Sequence, residues 1–138
     1  MSPGEKGIGG IREILLVEDS LGAVRLMEEA LKESQQPTHL SVVRDGEEAL
    51  TYLRQQGGYA NRVRPALILL DSNLPKKDGF QVLAEIRQDV QLKDISVVVM
   101  TSSANPLEVR RAYDLCANCC LTKPIHLEQF FKLVKALV

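Results

Sequence analysis

The sequence predicts an α/β fold, a doubly wound five-stranded parallel sheet in the order 2-1-3-4-5 with helices on both faces. Short apolar runs alternate strictly with helical patterns from Ile14 to the end of the chain, and parallel neighbours need crossover helices of that kind. The central runs also lack polar alternation, as strands covered on both faces do. Finally, the loop after the first run, EDSLG, carries no glycine fingerprint of a dinucleotide-binding half-sheet.

The strands are read as ILLV (14–17), HLSVV (39–43), ALILL (66–70), ISVVVM (95–100) and CCLT (119–122). Between them, Val24, Met27 and Leu31 share one helical face, as do Gly46, Ala49, Leu50 and Leu53, then Val82, Leu83 and Ile86. Residues 106–117 supply a fourth helix with a weaker stripe through Val109, Ala112 and Tyr113. Leu127, Phe130, Phe131 and Val134 mark the fifth. Asp45 is the expected N-cap of the second helix and Gly57-Gly58 its stop. Residues 1–12, with four glycines and a proline, read as a flexible leader, leaving 13–138 as one domain. In that leader, GIGGI lacks a preceding strand and the spacing of a phosphate loop. The resulting topology is flavodoxin-like rather than half a Rossmann fold.

At 138 residues the chain is long enough for one packed core. Seventeen basic and 18 acidic residues give a net charge of −1, so no global field recommends nucleic acid or an anionic membrane as partner. No run approaches the roughly 20 apolar residues of a membrane span. Cys116, Cys119 and Cys120, an odd and crowded set, fit reduced, buried thiols better than a disulfide framework, and the expected location is cytoplasmic. His39 and His126 read as a strand-edge residue and a helix-start residue, and Lys76-Lys77 as either a solvated loop or a pair that steers an acidic partner.

Open α/β sheets bind ligands beyond the carboxyl ends of their strands, near the point where strand order reverses. The residues at those ends are Glu18 and Asp19, Asp71, Thr101 and Lys123. Three carboxylates in one shallow cleft repel and raise one another's pKa unless a cation holds them ionised. All-oxygen ligands that must also admit phosphate oxygens suit Mg²⁺. Lys123 would place an ammonium opposite the metal, and the Thr101 hydroxyl can donate to an oxygen that gains charge. At the centre, Asp71 can act as a nucleophile that forms an aspartyl-phosphate.

Residues 13–138 resemble the receiver domain of bacterial response regulators (the CheY-like superfamily), through LLVEDS, LILLDSNLPKKDG, VVVMTSS and LTKP in order and spacing. The resemblance implies that Asp71 is the phosphoacceptor of a two-component phosphorelay and that a sensor histidine kinase donates the phosphoryl group. It also implies that Asp19 and the backbone carbonyl of Asn73 bind Mg²⁺ directly, that Glu18 does so through water, and that Thr101 and Lys123 contact the phosphoryl group. The Lys123-Pro124 bond is expected to be cis, and Asn73 and Ser103 stand where relatives tune the phosphate lifetime. The segments VRDGEEALTYLRQQGGYANRVRP, NLPKKDGFQVLAEIRQD and YDLCANC are similar to the stand-alone receivers that partner cyanobacterial phytochromes, which makes a phytochrome the expected kinase.

Cys120 departs from the family pattern, standing where receivers carry a switch aromatic three residues before the lysine. How the signal reaches the surface is therefore open, with Tyr113 or a helix shift as substitutes. The expected output face is the fourth helix, fifth strand and fifth helix, also the candidate surface for a homodimer. The downstream protein is unidentified by sequence. No DNA-binding output domain is expected, given the length, and the protein is expected not to be an enzyme beyond its own phosphotransfer and dephosphorylation. Two alternatives share the fold: an aspartyl-phosphate phosphatase, which needs a second acid where Asn73 stands, and a flavodoxin-like binding module, for which the acidic EDSLG loop is a poor phosphate cradle.

Overall fold

The computed structural model describes residues 11–34, 37–102 and 105–137. Its elements are β1 (Arg12–Val17), α1 (Leu21–Glu33), β2 (Thr38–Val43), α2 (Gly46–Leu53), β3 (Leu67–Asp71), α3 (Gly79–Gln88), β4 (Ser96–Thr101), α4 (Pro106–Asp114), β5 (Cys119–Thr122) and α5 (Leu127–Leu137), with a short 3₁₀ turn at Gly57–Tyr59. The five strands form one sheet ordered β2-β1-β3-β4-β5, and every pairing is parallel. This is the doubly wound order expected from the pattern. Arg12, read as the last leader residue, is the first residue of β1. GIGGI, up to Gly10, and Ser103 lie outside the described residues.

Alternate residues of the central strands feed two cores, as the period of two requires. Leu15, Val17, Ile68 and Leu70 face Leu50 and Leu53 of α2 and Val82, Leu83 and Ile86 of α3. Ile14, Leu16, Leu67 and Leu69 face Met27 and Leu31 of α1 and Phe130 and Val134 of α5. Every residue of β3 is buried, Asp71 included. Asp71 is thus the last residue of the core strand, not the first of the loop, and Thr101 likewise belongs to β4. Among the described residues, no helix is long and apolar enough to cross a membrane.

Two helix ends differ from expectation for one shared reason. Helix α2 stops at Leu53, not at Gly57-Gly58, because Gln55 takes the left-handed conformation at φ 55°. The Gln55 N–H then donates to the Tyr52 carbonyl and the Gln56 N–H to the Thr51 carbonyl, the paired bonds of a Schellman stop. Helix α4 stops at Asp114, three residues short of the expected 117, by the same device. Cys116 sits at φ 67°, with bonds from Cys116 N–H to Tyr113 and from Ala117 N–H to Ala112. Sequence reading looks for glycine at such stops and finds glutamine and cysteine. Since an L-residue pays roughly 1–2 kcal/mol in that region, Gln55→Gly and Cys116→Gly should each raise stability by about 0.5–1 kcal/mol after glycine's greater unfolded freedom is counted. Urea unfolding of each variant checks this, and a lower midpoint would contradict it.

The thiols also differ from the expected buried set: Cys116 is exposed on its left-handed stop, and Cys119 and Cys120 are half-buried. Among the described residues the three do not converge as metal ligands. The stripe of α4 is narrower than expected, since Ala112 is its only buried residue and Tyr113 is 49% exposed. His39 lies on the edge strand β2, and its Nδ1 is 2.9 Å from a Glu13 carboxylate oxygen. Lys76, still 61% exposed, lies 3.6 Å from Asp45, and Lys77 pairs with Glu85.

Candidate functional site

The parallel register brings the carboxyl ends of β1, β3, β4 and β5 into one row. Beyond them lies a cavity of about 360 Å³ lined by Glu18, Asp19, Asp71, Asn73, Ser102 and Lys123, among others. Residues 105 positions apart in sequence meet there. The Lys123 ammonium is 2.6 Å from a Glu18 carboxylate oxygen and 3.3 Å from Asp71 Oδ2. Carboxylate oxygens of Glu18, Asp19 and Asp71 lie within 4.8 Å of one another.

Local structure fixes each of these groups. Glu18 follows the last residue of β1 and is 1% exposed. Its second oxygen accepts the Ser20 N–H at 3.2 Å, and Ser20 in turn caps α1 by accepting from the Ala23 N–H. Asp19, exposed, turns out into the cavity mouth. Asp71 is held at both oxygens, Oδ1 accepting the Asn73 N–H at 3.1 Å and Oδ2 facing Lys123. The Lys123 N–H donates to the Thr101 carbonyl at 2.7 Å, which ties the lysine's backbone to β4, and the Lys123-Pro124 bond is cis.

The floor of the cavity depends on a glycine. Helix α3 starts against the end of β3: Gly79 donates its N–H to the Ser72 carbonyl, and a Cβ at Gly79 would lie 2.2 Å from the Asp71 carbonyl oxygen. Asp78 caps this helix with a reciprocal capping box to Gln81. The loop between Asp71 and Gly79 passes through Lys76 at φ 67° and rests on α2, where the Gly46 N–H approaches the Pro75 carbonyl.

The electrostatics favour a cation. Burial raises Asp71 most; the Asn73 N–H opposes this, Glu18 adds to it, Lys123 opposes it, and the net is a carboxyl pushed up to about 6. Burial alone would lower Lys123, but its contacts with Glu18 and Asp71 outweigh it and hold the ammonium above the usual lysine range. One lysine therefore balances two buried carboxylates, with a third, Asp19, beside them. An all-oxygen set of this geometry fits a hard divalent ion, which would relieve the remaining negative charge.

Thr101 is fully buried at the end of the next strand, and its hydroxyl donates to a Glu108 carboxylate oxygen at 3.2 Å. Sequence reading missed Glu108. The available signal was positional: it lies in the first turn of the helix that follows β4, seven residues after Thr101, and so must pass near the strand end. A second missed contact is the Cys120 N–H donating to the Tyr113 hydroxyl at 3.2 Å. Cys120 itself packs toward the face carrying α3 and α4, where burial raises its thiol.

The receiver-domain model of response regulators matches residues 14–135. Response regulator Rcp1 of Synechocystis sp. is 52% identical over 124 residues, covering 90% of this chain and 84% of Rcp1. Among solved structures, the phosphorylated cyanobacterial phytochrome response regulator RcpA aligns with TM-score 0.82 at 52% identity, covering 92% of this chain and 91% of RcpA. The Mn²⁺-bound form of Rcp1 aligns with TM-score 0.80 at 52% identity, covering 91% of this chain and 90% of that one. The match runs through every strand of the sheet and each of the four strand ends that build the cavity, and the protein accordingly belongs to the response regulator receiver family of two-component signalling.

Proposed function

We propose that Asp71 accepts a phosphoryl group from the phosphohistidine of a phytochrome sensor kinase, and that the phosphorylated domain signals from the cytoplasm by exchanging partners at its surface. The observation that carries this reading is the meeting of Asp71, the Glu18–Asp19 pair and Lys123 in one cavity. The phytochrome assignment draws support from RcpA, a cyanobacterial phytochrome response regulator 52% identical to this chain. In the transfer, a carboxylate oxygen of Asp71 bonds to phosphorus as the phosphorus–nitrogen bond of the donor breaks, and the histidine nitrogen leaves with its electron pair and takes up a proton.

Receivers bind a divalent metal at this acidic pocket, and Mg²⁺ is the ion the donor set suits. Asp19, Asp71 and the Asn73 carbonyl would hold it, with Glu18 acting through water. Bound there, the ion supplies charge neutralisation for the carboxylates and the incoming phosphoryl oxygens. Lys123 balances the opposite side and keeps Asp71 Oδ2 oriented, while the Asn73 N–H orients Oδ1. No separate base is needed, because a carboxylate above pH 6 is already the nucleophile. The domain acts on no second substrate; its chemistry is its own phosphotransfer and dephosphorylation. The face formed by α4, β5 and α5 is the output surface and a candidate homodimer contact.

Transfer from an autophosphorylated cyanobacterial phytochrome should move label to wild-type protein within minutes and leave Asp71→Asn unlabelled, with the yield changing between red and far-red light. Label retained by Asp71→Asn would contradict the acceptor assignment. Equal transfer from unrelated histidine kinases, with none preferred from the phytochrome, would contradict the partner.

A further inference from the structure

We infer that Glu108 is the latch of the switch: its carboxylate holds the Thr101 hydroxyl and so docks α4 in the unphosphorylated domain, and phosphorylation opens the latch by taking that hydroxyl away. The inference rests on the functional reading above. The Thr101 hydroxyl donates to Glu108 Oε1 at 3.2 Å. Thr101 is fully buried on the strand next to Asp71, whose register partner is Met100. A phosphoryl group on Asp71 is a stronger acceptor beside the same hydroxyl, so the two acceptors compete and Glu108 becomes a positioning residue for Thr101.

The latch matters because little else fastens α4. Of its nine residues only Ala112 is buried. Its other visible holds are the Tyr113 hydroxyl, which accepts the Cys120 N–H at 3.2 Å on the edge strand β5, and the Arg111 guanidinium, 4.5 Å above the Phe80 ring. Losing the bond to Glu108 removes, among the described residues, one of the few side-chain ties of a helix with a single buried residue, and it does so at the end nearest the site. This supplies an output route that does not require an aromatic side chain at Cys120. Tyr113 moves with α4, so its bond to β5 reports the helix position directly.

Amide hydrogen exchange across α4, referenced to α3 in the same protein, tests the latch. In the unphosphorylated state Glu108→Ala should speed α4 exchange about tenfold, the factor for losing one hydrogen bond to a charged group. Thr101→Val should do at least the same, and adding Glu108→Ala to Thr101→Val should change nothing further, since the bond between them is already gone. Glu108→Gln, which keeps a neutral acceptor, should fall between. Wild type phosphorylated with acetyl phosphate and Mg²⁺ should reach the level of Glu108→Ala, and that variant should take up label several-fold faster, the Thr101 hydroxyl no longer being held by Glu108. Additive effects of the two single variants, or unchanged α4 exchange in labelled wild type, would overturn the latch alone. Wild type that takes no label at Asp71 would overturn the functional reading and the latch with it.

Discussion

Asp71→Asn is expected to make the metal-free domain more stable at neutral pH while removing its chemistry. The folded Asp71 carboxyl is raised to about 6, chiefly by burial, from an ordinary value of 3.8. Ionising it inside the fold therefore costs free energy that the unfolded chain does not spend. The penalty is absent below about pH 4, grows as pH rises through the folded pKa, and is complete above it, where it amounts to roughly 3 kcal/mol. Asparagine carries no such charge. Its amide oxygen can still accept from the Asn73 N–H, but its NH₂ then faces the Lys123 ammonium, so a net gain of about 1–2 kcal/mol is the expected result. Urea unfolding at pH 7.5 and at pH 4 measures it: the variant should exceed wild type at the higher pH and lose the advantage at the lower. Adding Mg²⁺ at pH 7.5 should stabilise wild type far more than the variant, because only wild type offers the ion three carboxylates. A variant less stable than wild type at both pH values would show that Asp71 is not strained by its surroundings.

Gly79→Ala should damage both fold and site. An added Cβ would stand 2.2 Å from the Asp71 carbonyl oxygen and 2.7 Å from the Ser72 Cα. Both obstacles are backbone, so no side chain can swing aside; β3 or the start of α3 must move. Overpacking of this kind costs typically 1–3 kcal/mol and more where the neighbours are rigid, and here they are the buried end of the central strand. Destabilisation of about 3 kcal/mol or more is expected, with phosphoryl uptake reduced at least tenfold among molecules that remain folded, because the displaced group is the backbone of the proposed phosphoacceptor. Gly22→Ala is the matched control. Its Cβ would meet only the Ser20 hydroxyl at 3.8 Å on the exposed face of α1, so that change should be neutral or stabilising. Equal behaviour of the two variants would contradict the close approach of α3 to β3.

The sheet and the cavity were legible because their signals are local. An apolar run such as LILL declares a strand buried on both faces, and whatever polar residue ends it must stand at the strand's carboxyl end. Glu18, Asp19, Asp71, Thr101 and Lys123 were each found that way, and the strand order alone set them side by side. Features that depend on pairing across space were not legible. Glu108 in sequence is an ordinary first-turn acid, and only the packing of α4 reveals that it holds Thr101. That Lys76 and Lys77 have Asp45 and Glu85 beside them likewise shows only in the folded chain. The ends of α2 and α4 were misplaced because Gln55 and Cys116 take a backbone region where glycine is the usual signal.

Phosphorylation by a small donor tests the central claim most directly. Wild-type protein incubated with acetyl phosphate and Mg²⁺ should gain the mass of one phosphoryl group, located by peptide mapping to Asp71, with acetate released in step. Chelation of the metal or substitution of Asp71 by Asn should abolish the gain. A phosphoryl group that appears on another residue, or that forms undiminished without a divalent ion, would contradict the account.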